Sequence, residues 1–187
     1  MNPIDQPTID RYPTALRLLH WLRAVLVLGL LWAGWHMTGL NDDVASKYEL
    51  YYPWHKSFGL LTFLVVLTQV TLRWRTPHLP QPLKTLAQYE RVLSRLAQRA
   101  MYALLVLVPL MGYSMSSTYT MSDGVFFFGV NLPELLTKND EWFAVFQWLH
   151  KVFAYSLLGL IVLHVAGALK HRFYDQDPRN DALRRML

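Results

Sequence analysis

The hydrophobic positions of the chain gather in four long runs that are separated by polar segments. The runs cover approximately residues 14–40, 54–74, 100–116 and 142–170. A helix needs about 20 consecutive, mostly apolar residues to cross the hydrocarbon of a bilayer. The pattern therefore predicts an all-α integral membrane protein: one domain over residues 1–187, built as a bundle of four transmembrane helices.

Two of the connecting segments carry signals of their own. Residues 75–82 contain three prolines and predict an extended connection. In the stretch that follows, residues 84–100, arginines recur at positions 91, 95 and 99. This period predicts a short amphipathic helix on the membrane surface. In the last connection Gly124 and Pro133 indicate turns, and the phenylalanines at 126–128 are expected to pack against the membrane edge.

The distribution of charge predicts how the bundle sits in the membrane. Lysine and arginine are concentrated in residues 73–99 and 170–185, whereas the other two connections are mainly acidic. The positive-inside rule then places both termini in the cytoplasm. This asymmetry explains the net charge of +5 without nucleic acid, for which the chain carries no recognition motif. The chain has no cysteine, which excludes disulfides, thiolate-bound clusters and thioether-linked haem.

Four of the seven histidines fall at two matching depths in this topology. His20 and His164 lie near the cytoplasmic ends of their helices, while His55 and His150 begin theirs at the outer side. His164 follows His150 by fourteen residues, which puts the two within about 40° of one helix face and about 21 Å apart. The fourth helix therefore supplies one imidazole to each depth. Two facing imidazoles can hold haem iron, so the spacing predicts two haems.

Small residues near the outer histidines would give a flat macrocycle room to approach. Gly34 follows His20 by fourteen residues, so it lies on nearly the same face of the helix but at the outer depth. Gly59 and Ala154 each lie one turn after an outer histidine.

Other readings of the histidines remain open. A single intramembrane histidine often only bonds a neighbouring helix, and the same chain could be a membrane scaffold without a cofactor. A zinc site would need carboxylates or thiolates, and none lies within the spans. His36 faces away from His20 and is interpreted as interfacial, and His78 falls in the proline-rich connection. His171, at the cytoplasmic edge, is a candidate for a role near the inner haem or a bound quinone.

Several segments together resemble the bacterial dihaem cytochrome b561 family, which includes membrane superoxide oxidases. They are RLLHWL at 17–22, YPWHKSFGLL at 52–61, FQWLHK at 146–151 and LHVAGALKHRF at 163–173. The resemblance implies two b-type haems in a four-helix membrane bundle. It also implies that His20 and His164 bind the iron of the inner haem, and that His55 and His150 bind that of the outer haem.

The resemblance further implies an inner-membrane oxidoreductase that passes electrons from superoxide at the outer face to ubiquinone. Lys56 and Lys151 directly follow the outer histidines and could guide the anion, although they could equally extend towards the interface or pair with haem propionates. Arg73 and His171 are candidate contacts for a propionate or the quinone. Gln69 stands where some relatives have arginine, so a second arginine contact is left open.

An alternative function belongs to a different class. The chain could be an electron-transfer subunit that connects a partner dehydrogenase with the quinone pool. The sequence shows no feature of a particular protein partner. Membrane lipid and a quinone are the partners expected under either function.

Overall fold

The structure, a computed structural model, describes residues 11–77, 79–80, 86–122, 124–175, 177 and 180–187. Part of the proline-rich connection, including His78, lies outside these residues. Four long helices dominate the described chain: α1 (Thr14–Gly39), α2 (Tyr52–Arg75), α3 (Gln88–Thr118) and α4 (Asp140–Phe173). Each is long and apolar enough to cross a membrane, and α2 is preceded by a π-helical turn, Lys47–Tyr51.

The helices alternate in direction, so the bundle has two ends. One, the terminus end, holds the starts of α1 and α3 and the ends of α2 and α4. The other, the hairpin end, holds a β-hairpin made of β1 (Val125–Phe127) and β2 (Val130–Leu132). Within the bundle α1 packs on α2 and α3 packs on α4, while α2 also contacts α3.

An apolar layer fills the middle of the bundle. It consists of one buried side chain from each helix: Val27, Val66, Leu105 and Leu157. Leu157 lies seven residues after His150 and seven before His164, so the layer separates the two histidine depths. Many large apolar side chains outside this layer are exposed, as expected of helices that are surrounded by lipid.

The amphipathic stretch is helical, but it is continuous with the third span instead of forming a separate surface helix. α3 runs unbroken from Gln88 to Thr118, with Pro109 inside it. At about 1.5 Å per residue its length is about 46 Å, which exceeds the hydrocarbon thickness of about 30 Å. Its arginine-bearing first turns therefore extend beyond the apolar layer at the terminus end. Glu90 pairs there with Lys170 of α4.

The β-hairpin is attached to α2 beside His55. Its turn residues Phe128 and Gly129 both have positive φ, 46° and 94°, as a type I′ turn requires. The backbone N–H of Phe128 donates to the hydroxyl oxygen of Ser57 at 3.1 Å, and the Phe128 ring contacts Phe58 edge-on. The predicted phenylalanine-rich loop is thus an ordered hairpin at the start of α2.

The C-terminal segment folds back over the start of α1. Asp181 is 6 % exposed and forms ion pairs with Arg172 and Arg184. The indole N–H of Trp21 donates to the backbone carbonyl of Met186 at 2.9 Å. This segment lies beyond the last predicted span, and these contacts hold it against the terminus end.

Candidate functional site

Two pairs of histidines face each other across the bundle. In the terminal pair, His20 of α1 and His164 of α4 have ring centroids 6.4 Å apart and ring planes inclined by 61°. In the hairpin pair, His55 of α2 and His150 of α4 have centroids 6.2 Å apart and planes inclined by 75°. The structure therefore brings these four side chains together in the pairs that their depths predicted.

The spacing within each pair fits one metal ion between two imidazoles. Metal–imidazole bonds are about 2 Å long, and a ring centre lies about 1 Å beyond its nitrogen, so two opposed ligands have centres about 6 Å apart. Both observed separations agree with this value. Among the described residues, no three His, Asp or Glu side chains gather as a metal site. A cofactor that brings its own equatorial ligands, such as haem, therefore suits each pair better than a bare ion.

A hydrogen bond to α3 determines which ring nitrogen of His150 carries the hydrogen and which is available to a metal. Its Nδ1 lies 2.9 Å from the backbone carbonyl oxygen of Val108 in α3. A carbonyl only accepts, so Nδ1 carries the hydrogen and Nε2 is left without one. The same bond fixes the orientation of the ring, as outer contacts commonly do for metal-binding histidines. The α3 helix thus orients the candidate ligand His150, although it carries no histidine of its own.

His20 has the opposite arrangement. Its Nδ1 lies 3.1 Å from Nη2 of Arg23, one turn further along α1. A guanidinium only donates, so Nδ1 accepts and the hydrogen of the neutral ring resides on Nε2. If Nε2 of His20 were to hold a metal, this contact would have to be released, because a nitrogen that carries hydrogen has no lone pair to offer. Cζ of Arg23 also lies 5.2 Å from the ring centroid of Tyr102, within the range of a cation–π contact.

Two glycines form the walls of the hairpin pair. A Cβ at Gly34 would lie 3.3 Å from Cε1 of His55, and one at Gly112 would lie 3.1 Å from both Cε1 and Nδ1 of His150. Gly34 was expected to make room for the macrocycle, and its lack of a side chain leaves space beside the ring of His55. A Cβ at Gly59 would have no neighbour within 4 Å, so that position is open. The contribution of Gly112 was missed because span three holds no histidine.

The terminal pair has charged neighbours instead of glycines. Nε of Arg17 and Nη1 of Arg23 are buried without a hydrogen-bond partner in the described part of the chain. Gln69 is 4 % exposed, and its Oε1 is likewise without a partner there. Gln69 follows His55 by fourteen residues, which puts it near the depth of the terminal pair. Two arginines and one glutamine therefore have buried polar atoms near this depth that lack a hydrogen-bond partner among the described residues.

The remaining candidates lie at the two ends. At the hairpin end Lys56 is half-buried and Lys151 is exposed. At the terminus end Cζ of Arg73 lies 5.9 Å from the ring centroid of Tyr12. His36 stacks on Trp32, away from both pairs, with ring centroids 5.4 Å apart.

His171 contacts the residues that follow α4. Its Nδ1 lies 2.8 Å from a carboxylate oxygen of Asp175, which also accepts a hydrogen bond of 2.9 Å from the side-chain amide of Asn180. These hydrogen bonds, that of His171 first, hold the pKa of Asp175 below its ordinary value. His171 is therefore oriented by the C-terminal segment.

Comparison with known proteins gives consistent matches over the whole bundle. The sequence model of the family Prokaryotic cytochrome b561 matches residues 11–187. The chain is 33 % identical over 187 residues to Cytochrome b561 homolog 2 of Escherichia coli (strain K12), covering 96 % of this chain and 93 % of that protein. It is 22 % identical over 178 residues to Cytochrome b561 homolog 1 of the same organism, covering 95 % and 98 %.

Proposed function

Because the chain belongs to the prokaryotic cytochrome b561 family and is therefore a multi-pass membrane cytochrome of the b type, we propose that it binds two haems, one at each histidine pair. The observation that supports this most directly is the centroid separation, 6.4 Å in the terminal pair and 6.2 Å in the hairpin pair. His20 and His164 bind one iron, and His55 and His150 bind the other.

Haem supplies one-electron chemistry, and the chain positions it. α4 contributes a ligand to each pair, about 21 Å apart along one helix. Val108 and Gly112 hold His150 from the third helix, and Gly34 bounds His55 from the first. The apolar layer around Leu157 lies between the pairs and keeps water from the path. Electrons thus pass between the two ends of the bundle.

We further propose a direction for this transfer. The basic segments lie at the terminus end, so this end faces the cytoplasm and the hairpin end faces outward. Superoxide is the electron donor at the hairpin end, and a quinone in the membrane is the acceptor. Each superoxide anion gives up one electron and leaves as dioxygen. Two electrons and two protons convert the quinone to a quinol. The resemblance to membrane superoxide oxidases supports this choice of donor.

Two lysines support an anionic donor at the hairpin end. Lys56 and Lys151 each directly follow a histidine of the hairpin pair, and Lys151 is exposed. The connections at this end are otherwise acidic, so a positive charge beside the pair would raise the local concentration of a small anion. At the other end, Arg73 and His171 are the proposed contacts for a propionate or the quinone.

The two-haem proposal is tested by haem content and by single replacements. The purified protein should contain two haems per chain. His20→Ala or His164→Ala should remove one haem, and His55→Ala or His150→Ala should remove the other, which a difference spectrum distinguishes. His36→Ala is the matched control and should keep both, because His36 stacks on Trp32 away from the pairs. One haem in the unmodified protein, or two in His20→Ala, would contradict the assignment.

The donor is tested by mixing the oxidised protein with superoxide in a stopped-flow instrument. Haem should be reduced without any added protein, and a quinone analogue should then reoxidise it. If superoxide leaves the haem oxidised while a membrane dehydrogenase reduces it, the chain is instead an electron-transfer subunit that serves the quinone pool. Reduction by dithionite in the same sample shows that the haems are competent.

A further inference from the structure

Two arginines on α1 direct unpaired donors into the interior beside His20. Arg17 precedes His20 by three residues and Arg23 follows it by three, so both lie within about 60° of its face. Nε of Arg17 and Nη1 of Arg23 are buried, and neither has a hydrogen-bond partner among the described residues. Within the described part of the chain, both side chains therefore keep a donor that no protein group uses.

A cation at this position in a membrane helix calls for an anion. An unpaired guanidinium costs roughly 3 kcal/mol or more at the bilayer centre and less near a helix end, where Arg17 and Arg23 lie. The four helices carry acidic residues only at positions 90, 140 and 141. Glu90 is paired with Lys170, and the other two lie at the opposite end of the bundle. Among the described residues, no carboxylate forms an ion pair with Arg17 or Arg23.

We propose that Arg17 and Arg23 bind the two propionate carboxylates of the haem held by His20 and His164, which leaves Arg73 and His171 as contacts for the quinone. This rests on the proposed function, since it requires a haem at the terminal pair. A guanidinium binds a carboxylate through two parallel hydrogen bonds, and such charge-assisted bonds are among the strongest in proteins. Cζ of Arg23 lies 5.2 Å from the ring centroid of Tyr102, and Nη1 of Arg23 is the nitrogen that is buried without a partner among the described residues.

The proposal also accounts for the contact between Arg23 and His20. Arg23 now donates to Nδ1 of His20 at 3.1 Å, which keeps the ring hydrogen on Nε2. When Arg23 turns to a carboxylate, Nδ1 is released and can carry the hydrogen instead. Nε2 then becomes free to bind iron. Arg23 would thus link binding of the haem carboxylate to preparation of the iron ligand.

The two guanidinium groups should also set the haem potential. Positive charge near an iron centre favours the reduced state, which carries one positive charge fewer. Lys56 and Lys151 supply positive charge beside the hairpin pair, so the arginines alone do not decide which haem has the higher potential. Each arginine should instead raise the potential of the terminal haem above the value that this haem has without it.

The experiment compares Arg17→Gln and Arg23→Gln with Arg95→Gln. Arg95 is exposed on α3 at the same end, so it controls for the loss of one charge. Redox titration should show a lower potential for the terminal haem in the first two variants. We expect a shift of about tenfold in its equilibrium with the hairpin haem, or about 59 mV for one electron. The hairpin haem and the Arg95→Gln variant should be unchanged.

The propionate band in the resonance Raman spectrum identifies the contact itself. It should shift in Arg17→Gln and Arg23→Gln but not in Arg95→Gln. Arg23→Lys should keep the potential, because the charge remains, yet shift the band, because the two-pronged geometry is lost. An unshifted band in all variants would overturn the proposal even if the potential moved, because the arginines would then hold another anion, such as a lipid phosphate.

Three further outcomes are decisive. If the glutamine variants lose all haem, Arg17→Lys and Arg23→Lys decide: a shifted band supports the proposal and an unshifted band overturns it. If His20→Ala keeps both haems, the ligand assignment fails and this proposal fails with it. If His20→Ala loses one haem while the arginine variants match the unmodified protein, this proposal alone fails.

Discussion

Gly112 of α3 lies against the ring of His150 of α4, where a Cβ at position 112 would stand 3.1 Å from both Cε1 and Nδ1. Four residues earlier on α3, the carbonyl oxygen of Val108 lies 2.9 Å from the same Nδ1. A helix without any histidine therefore fixes both the position and the tautomer of one. We therefore expect the residue at position 112 of the third helix to affect cofactor binding at the hairpin pair.

Gly112→Ala should weaken haem binding at the hairpin pair. The added methyl group has to displace His150, and overpacking of this kind costs about 1–3 kcal/mol. Haem affinity at this pair should fall by about 10- to 100-fold, while the terminal haem is retained. Haem content and difference spectra measure this. Gly159→Ala on α4 is the matched control, because a Cβ there would meet nothing within 4 Å. Equal haem loss in both variants would show that the contact with His150 is unimportant.

Replacing Lys56 and Lys151 together with glutamine should slow reduction by superoxide. Electrostatic guidance of a small anion is worth about tenfold or more in rate, and salt screens it. The unmodified protein should therefore lose rate as salt rises, and the double variant should lose less. Stopped-flow mixing at several salt concentrations measures both effects.

The control for the lysine experiment removes two exposed charges at the other end, Arg95→Gln with Arg99→Gln. It should reduce at the normal rate. Haem content and dithionite reduction should be normal in both double variants. If the rate of reduction by superoxide depends neither on salt nor on the two lysines, the oxidase function is still supported. The assignment of Lys56 and Lys151 as the place where superoxide approaches is then wrong.

Both termini should face the cytoplasm. The reason is the concentration of lysine and arginine at the terminus end, which favours retention of that end inside the cell. A reporter that is active only after export should be inactive when fused to the C-terminus, and should be active when inserted near Asn41 at the hairpin end. The reverse pattern would invert the orientation, and the pairing of the histidines would be unaffected.

Asp181→Asn should release the C-terminal segment from the bundle. The buried Asp181 carboxylate accepts a hydrogen bond from the Arg184 backbone N–H at 3.1 Å and pairs with Arg172. Weakening such charged hydrogen bonds costs about 1–3 kcal/mol. Digestion with carboxypeptidase should therefore proceed faster in this variant than in the unmodified protein. Asp43→Asn, in the exposed connection at the hairpin end, should digest at the normal rate.

The sequence by itself determined the four helices and the depths of the histidines. Continuous apolar runs specify membrane helices because unpaired backbone groups are too costly in lipid. The interval of fourteen residues from His150 to His164 fixes their separation along the helix axis and the angle between their faces, because both lie on one helix of known pitch. The family was likewise visible in the histidine-containing segments and is confirmed by the match over residues 11–187.

Tertiary structure alone decided which residues of different helices touch. Helical periodicity gives depth and direction along one helix, but contact between two helices also depends on how each is rotated and displaced against the other. Gly112 against His150 and the hairpin turn against Ser57 are contacts of this kind, since their partners are far apart in sequence. Arg23 and His20 are three residues apart on one helix, so their contact is local. Whether Arg23 bonds His20 or an acidic side chain nevertheless depends on which side chains the other helices bring near. The amphipathic stretch likewise continues into α3 as one helix. Its first turn is held against α4 by the ion pair of Glu90 with Lys170, a contact that helical periodicity alone does not predict.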